Sequence, residues 1–283
     1  MRCRLNILAL IGPVLICIAL AAGPAVAADR KAVASPAAVV PTMSGGAERY
    51  AARCEVPDEL LRLGHSLPQV ARRLKDGKQL TVVAMGASST EGVGASAREN
   101  AYPERLEAEL YALFPSMDIL VHNKGVGGED AAQMLARIER DVLQVEPDLL
   151  ILQAGVNAAI KGWPLDMFVE NMLAIVDIAH KNGIDVMLMG PQNAPRYVHA
   201  PLRRQFSDNM MMVSRIRDLP IFPRFRIMTH WVQSGAFRAD EIVGPDGLHM
   251  TDASYYCVAR LLARTIASAM PVSPVTVEQS ARR

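Results

Sequence analysis

Short apolar runs alternate along this chain with longer stretches whose apolar residues recur every three or four positions. Gln79-Leu-Thr-Val-Val-Ala-Met85 is rich in β-branched residues and stops at Gly86, which predicts a buried strand. Asp118–His122, Asp148–Gln153 and Ile184–Met189 read the same way, and Phe225–Met228 reads as a short fifth strand. Between them, Tyr102–Phe114 sets Leu106, Leu110 and Leu113 on one helical face, with Pro103 near its start. Ala131–Gln144 predicts a helix with Met134, Leu135, Ile138 and Val142 inward, and Leu165–Asn182 one that is closed by Gly183. Pro201–Asp218 and Thr251–Met270 are the last two long helices. Two shorter helical pieces, Pro57–Leu63 and Ser66–Leu74, come earlier, the second with Ser66 and Gln69 spaced as a capping box. Strands that alternate with helices predict an α/β fold. A central, mostly parallel five-stranded sheet is covered by helices on both faces, in one domain over residues 76–270.

The two ends stand outside this pattern. Arg2 and Arg4 precede an apolar run from Ile7 to Ala22, and Ala25-Val-Ala27 precedes Ala28. That is the layout of a secretory signal peptide over residues 1–27, and the run, broken by Gly12-Pro13, is short for a stable membrane span. Residues 28–75 read as a flexible lead-in followed by the short helices, and 271–283 as a tail with little to pack. The protein is therefore expected to be exported, to a periplasm or the extracellular space.

Removing residues 1–27 takes away two arginines and no acid, so the net charge changes from +1 to −1. A balance so near zero lacks the basic footprint of a nucleic-acid binder. Two of the four cysteines leave with the signal peptide, and Cys54 and Cys257 remain. In an exported chain this even number suggests a disulfide; two unrelated core thiols are the alternative. No paired Cys-x-x-Cys or His-Glu-x-x-His spacing is present, so neither a metal nor another cofactor is expected.

In parallel sheets covered on both faces, chemistry collects beyond the carboxyl ends of the strands. The first strand is followed by Gly86-Ala-Ser-Ser-Thr-Glu-Gly92, the second by Asn123-Lys-Gly-Val-Gly-Gly-Glu129 and the third by Gly155-Val-Asn157. Asp246-Gly-Leu-His249 precedes the last helix. Acyl transfer needs a nucleophile, a base, a group that orients the base and donors for the oxyanion. Ser88, His249, Asp246 and the trio of Ser88 N–H, Gly128 N–H and the Asn157 amide can fill these roles. Glycine at 128 would let backbone approach closely. Each piece alone has a plainer reading: a serine that caps a helix, a tight glycine loop, an asparagine in a turn. Their order and their places at strand ends carry the argument. Gly86-Ala-Ser-Ser-Thr lacks the second glycine of an α/β-hydrolase elbow, and no Lys-Ser/Thr follows as in a phosphate loop.

These four blocks resemble the SGNH hydrolase (GDSL esterase/lipase) family over roughly residues 79–270. The resemblance implies a flavodoxin-like three-layer α/β/α sandwich. It also implies a serine esterase with Ser88 as nucleophile, Asp246 and His249 as the base pair, and Ser88, Gly128 and Asn157 at the oxyanion. Two positions depart from the family: Ala87 replaces the Asp usually found before the nucleophile, and Ala158 the Asp that often follows the third-block Asn. Ser89 is the rival nucleophile, but Ser88 keeps the Gly-x-Ser spacing from Gly86. The expected partner is an ester-bearing small molecule, glycan or lipid. A short acyl group on a glycan is favoured over a lysophospholipase or thioesterase substrate, and over a catalytically silent glycan-binding envelope protein.

Overall fold

The computed structural model describes residues 48–269. The expected signal peptide, the lead-in from residue 28 to 47 and the tail 271–283 lie outside these residues. The strands are β1 (Gln79–Gly86), β2 (Asp118–Gly125), β3 (Leu149–Gln153), β4 (Asp185–Met189) and β5 (Ile221–Phe222). They form one sheet in the order β2-β1-β3-β4-β5, and every pairing is parallel. Parallel neighbours need crossover connections, which the helices supply. These are α1 (Pro68–Asp76), α2 (Ser88–Glu91), α3 (Tyr102–Leu113), α4 (Ala131–Ala136), α5 (Ile138–Asp141) and α6 (Val156–Lys161). They continue with α7 (Leu165–Lys181), α8 (Pro195–Val198), α9 (Arg203–Arg217), α10 (Arg224–Gln233), α11 (Ala239–Ile242) and α12 (Asp252–Ala267).

The runs of β1, β3 and β4 lack a polar/apolar alternation because both faces of the sheet are covered there. Leu80, Val82, Ala84, Leu149, Ile151, Met187 and Met189 point into a core shared with α1, α3, α10 and α12. Val83, Met85, Leu150, Leu152, Val186 and Leu188 point into a second core shared with α4 to α9. The result is three layers, α/β/α. Cys54 and Cys257 are joined by a disulfide across 203 residues of sequence, tying the segment before α1 to α12. At the sheet margin, the Val121 N–H of β2 donates to the Glu107 carboxylate of α3 at 2.8 Å.

Several local expectations are corrected. The fifth strand is Ile221–Phe222, whereas Phe225–Met228 lies inside α10. Pro220 and Pro223 bracket the strand and cannot donate to a ladder, so it stays two residues long. Ile227, Met228 and Trp231 then bury one face of a helix. The helix expected over 131–144 breaks at Arg137, which ends α4, starts α5 and is followed by a 3-10 turn at Leu143–Val145. Ser66 caps nothing: α1 begins at Pro68 after Leu67, with no side-chain cap, because proline at the first helical position needs no N–H acceptor. The Pro57–Leu63 piece is a single 3-10 turn at Asp58–Leu60.

Candidate active site

The strand order changes direction at β1: the connection after β1 runs over the α3 face of the sheet, whereas those after its neighbours β2 and β3 run over the opposite face. Such a switch point opens a crevice at the carboxyl ends of the strands. Gly86, Gly125 and Gln153 stand level there, as register partners across β2, β1 and β3. β1 passes through extended Ala87 into α2, so Ser88 is the first residue of a helical turn, partly exposed, while Ser89 is buried. Gln153, buried at the end of β3, accepts hydrogen bonds from the Ala87 N–H and the Thr90 hydroxyl, both at 3.2 Å. β2 passes close by: a side chain at Gly125 would put its Cβ 2.0 Å from the Glu91 nitrogen, so only glycine fits there.

The loop before α12 brings His249 to the serine. Asp246 Oδ1 accepts the N–H groups of Leu248 and His249, both at 3.0 Å, which folds the segment into a tight turn. Asp246 Oδ2 meets His249 Nδ1, and His249 Nε2 lies 2.8 Å from Ser88 Oγ. A carboxylate on Nδ1 favours the tautomer that leaves Nε2 free to accept the serine proton. Partial burial pushes the Asp246 carboxyl up, but the two N–H donors and the imidazole outweigh it and hold it at about 2. Asp246 is therefore ionised at any ordinary working pH. Beneath the turn, the Gln192 amide donates to the Leu248 carbonyl at 3.2 Å and accepts from Arg224 at 3.0 Å. Arg224 is fully buried, and that burial lowers it to about 10.

Ser88 and Gly128 keep N–H groups that no described acceptor takes. The Asn157 side-chain amide donates to the Glu129 carbonyl at 2.9 Å and keeps its second proton for another acceptor. Gly128 is needed for a different reason than close approach. Nothing lies within 4 Å of where its Cβ would stand, but its φ is +81°, a region side chains avoid. Ala87 and Ala158 are both buried in the second core, and neither takes part in the Ser88–His249–Asp246 contacts. Ala158 lines a 190 Å³ pocket with Trp163 and Phe168. A larger cavity of 600 Å³ opens beside Gly244 and Gly247, between Pro195, His199 and Ile242. Among the described residues no group of three or more His, Cys, Asp or Glu is arranged to hold a metal ion.

All five proposed site residues, Ser88, Gly128, Asn157, Asp246 and His249, are thus gathered at one end of the sheet. Sequence reasoning missed the residues that hold them: Gln153, Gln192, Arg224 and Arg137. Gln153 carried a usable signal, a polar residue closing an otherwise apolar buried strand. Gln192 lies in the segment that follows β4; its side chain supports the histidine turn, while Arg196 in the same segment is exposed. Of the run Met210-Met-Met212, Met210 is core and the other two are exposed.

An arylesterase of Vibrio mimicus is 23% identical over 168 residues, which covers 59% of this chain and 79% of the relative. An acetylxylan esterase of Geobacillus stearothermophilus is 29% identical over 113 residues, covering 40% of this chain and 45% of the relative. Among solved structures, a two-domain esterase active on acetylated mannans superposes with a TM-score of 0.62 at 25% identity, over 76% of this chain and 57% of the other. The chain thus spans less than two thirds of the length of that protein. Residues 53–271 match the profile of the non-GDSL lipase-like family, a name that suits a block after β1 reading Gly-Ala-Ser, and the chain belongs to that family, on the SGNH/GDSL-type fold of ester hydrolases.

Proposed function

We propose that this ester hydrolase removes short acyl groups, acetyl above all, from a glycan, with Ser88, His249 and Asp246 as its catalytic residues. The observation that carries the reading is the unbroken path from the Asp246 carboxylate through His249 to Ser88 Oγ, with Nε2 to Oγ at 2.8 Å. His249 takes the Ser88 proton as Oγ attacks the ester carbonyl, and Asp246 stabilises the imidazolium that forms. The carbonyl oxygen becomes an oxyanion held by the N–H groups of Ser88 and Gly128 and the free Asn157 amide proton. The tetrahedral intermediate collapses as His249 protonates the leaving alcohol, and water attacks the acyl-enzyme by the same route.

The glycan as substrate is supported by the acetylxylan and acetylated-mannan esterases among the similar proteins. Export is supported by a disulfide between two buried cysteines, a bond that persists in oxidising compartments. Among the described residues no helix is long and apolar enough to cross a membrane. The test is a panel of p-nitrophenyl esters of graded chain length and acetylated xylan and mannan oligosaccharides, with wild type and Ser88→Ala. Acetate release that vanishes in Ser88→Ala supports the reading. Activity retained in Ser88→Ala, or lost only in Ser89→Ala, overturns the nucleophile assignment. A preference for long chains favours a lysophospholipase or thioesterase, and failure of the folded protein to react with a fluorophosphonate favours a silent binding module.

A further inference from the structure

We propose that Arg137 is a positioning residue for the oxyanion loop, holding in register the three segments that carry the oxyanion donors. The inference rests on the esterase reading and deepens it. Arg137 stands at the break between α4 and α5 and is only 7% exposed. Its guanidinium spends its donors on four acceptors from separate segments. Nε donates to Glu129 Oε2 at 2.8 Å and Nη1 to Asp141 Oδ2 at 2.7 Å. Nη2 donates to the carbonyls of Lys124 at 2.9 Å and Gly86 at 3.4 Å.

Three of the four acceptors, all but Asp141, belong to the segments that lead into or out of the oxyanion positions. Gly86 precedes the Ala87–Ser88 turn. Lys124 precedes Gly125 and the Val126-Gly127-Gly128 loop. Glu129 follows Gly128, and its carbonyl is the group that receives the Asn157 amide. One planar fork therefore couples the Ser88 N–H, the Gly128 N–H and the Asn157 amide. The loop needs such a tether, because two adjacent glycines give it many conformations and Gly128 holds φ at +81°. A lysine has no fork and cannot serve four divergent acceptors. Asp141, also bound by Arg140, supplies the compensating charge on the helix side, and Glu129 supplies it on the loop side. A buried ionic cluster is weak as a source of stability, whereas fixing one arrangement of a loop is a use that suits its geometry.

The experiment measures kcat, KM and Tm with p-nitrophenyl acetate for wild type, Ser88→Ala, Arg137→Lys, Glu129→Ala and the Arg137→Lys/Glu129→Ala double variant, well below every Tm. Arg137→Lys is expected to lower kcat about 10- to 100-fold with KM within about twofold, because a donor displaced by about 1 Å costs that much. Glu129→Ala removes only the loop arm and leaves the guanidinium its three other acceptors. It is expected to lower kcat in the same way with little change in Tm. The double variant is expected to lose no more than about twofold beyond Arg137→Lys, since both substitutions break one coupling. The pH–rate profile keeps its shape, because the base pair is untouched. An unchanged kcat in Glu129→Ala, or losses that multiply in the double variant, assigns Arg137 to the framework alone and overturns the proposal. Turnover by wild type that persists in Ser88→Ala overturns the esterase reading instead.

Discussion

Removing the Cys54–Cys257 bond is expected to lower the melting temperature by about 5–15 °C and leave the chemistry at room temperature intact. The bond closes a loop of 203 residues. In the chain-entropy description a loop of that length gives an upper figure of about 5 kcal/mol at 25 °C, and measured bonds commonly deliver about 2–4. A domain of this size moves roughly 2–4 °C per kcal/mol, which gives the stated range. The effect falls on stability because both sulfurs are fully buried in the core shared by α3, α10 and α12. The Cys54 carbonyl is further held by the Trp231 indole N–H at 2.9 Å. The assay compares thermal unfolding of wild type with Cys54→Ala/Cys257→Ala, and mass spectrometry with and without reductant counts the free thiols. Because the sulfurs are inaccessible, reduction of the folded protein is expected to be slow without denaturant. Two free thiols in the purified wild type refute the bond. A melting temperature that falls by less than about 2 °C in the double variant refutes the argument that this closure stabilises the fold.

Three further outcomes follow from the geometry. Asp246→Asn keeps the shape of the histidine turn but presents the wrong group to Nδ1; kcat/KM is expected to fall by up to about 10⁴, with KM little changed. Asp246 is an acid depressed to about 2, so its contribution to stability is complete above the ordinary carboxylate value near pH 4 and lost as the pH falls towards 2; acid-unfolding curves of the two proteins should therefore converge in that window. Asp185 at the start of β4 behaves oppositely. Burial raises its carboxyl to about 6 despite the Val70 N–H it accepts at 3.0 Å, so ionising it above that pH costs stability. Asp185→Asn is expected to raise Tm at pH 8 and to be close to neutral at pH 4.5; equal shifts at both values would refute this sign. Gln153→Leu strips the acceptor from the Ala87 N–H and the Thr90 hydroxyl. It should cost about 1–3 kcal/mol of stability and lower kcat more than it raises KM, checked by urea unfolding and initial rates.

The strand and helix pattern was legible because each buried strand is an uninterrupted apolar run and each long helix has one apolar stripe. β1, β3 and β4 could be read almost to the residue. What failed depended on long-range partners. Phe225–Met228 is apolar enough for a strand, and only the two prolines around Ile221–Phe222 and the core beneath Trp231 make it a helix. The break at Arg137 is invisible in a helical pattern, because its cause is a set of acceptors on β1, β2 and the loop after β2. The four site blocks were legible since they lie at strand ends in a fixed order. Their supports were not, because Gln153, Gln192 and Arg224 act through partners 32 to 66 residues away in sequence.

The carboxylate of Glu107 has a consequence for the company the protein keeps. β2 is the outermost strand of a parallel sheet, and such a margin offers unpaired N–H groups to any extended chain that drifts against it. Glu107 occupies the Val121 donor from within the molecule. Intermolecular strand addition at that margin must therefore begin by breaking a charged hydrogen bond, which turns the most exposed flank of the sheet into a poor template for aggregation.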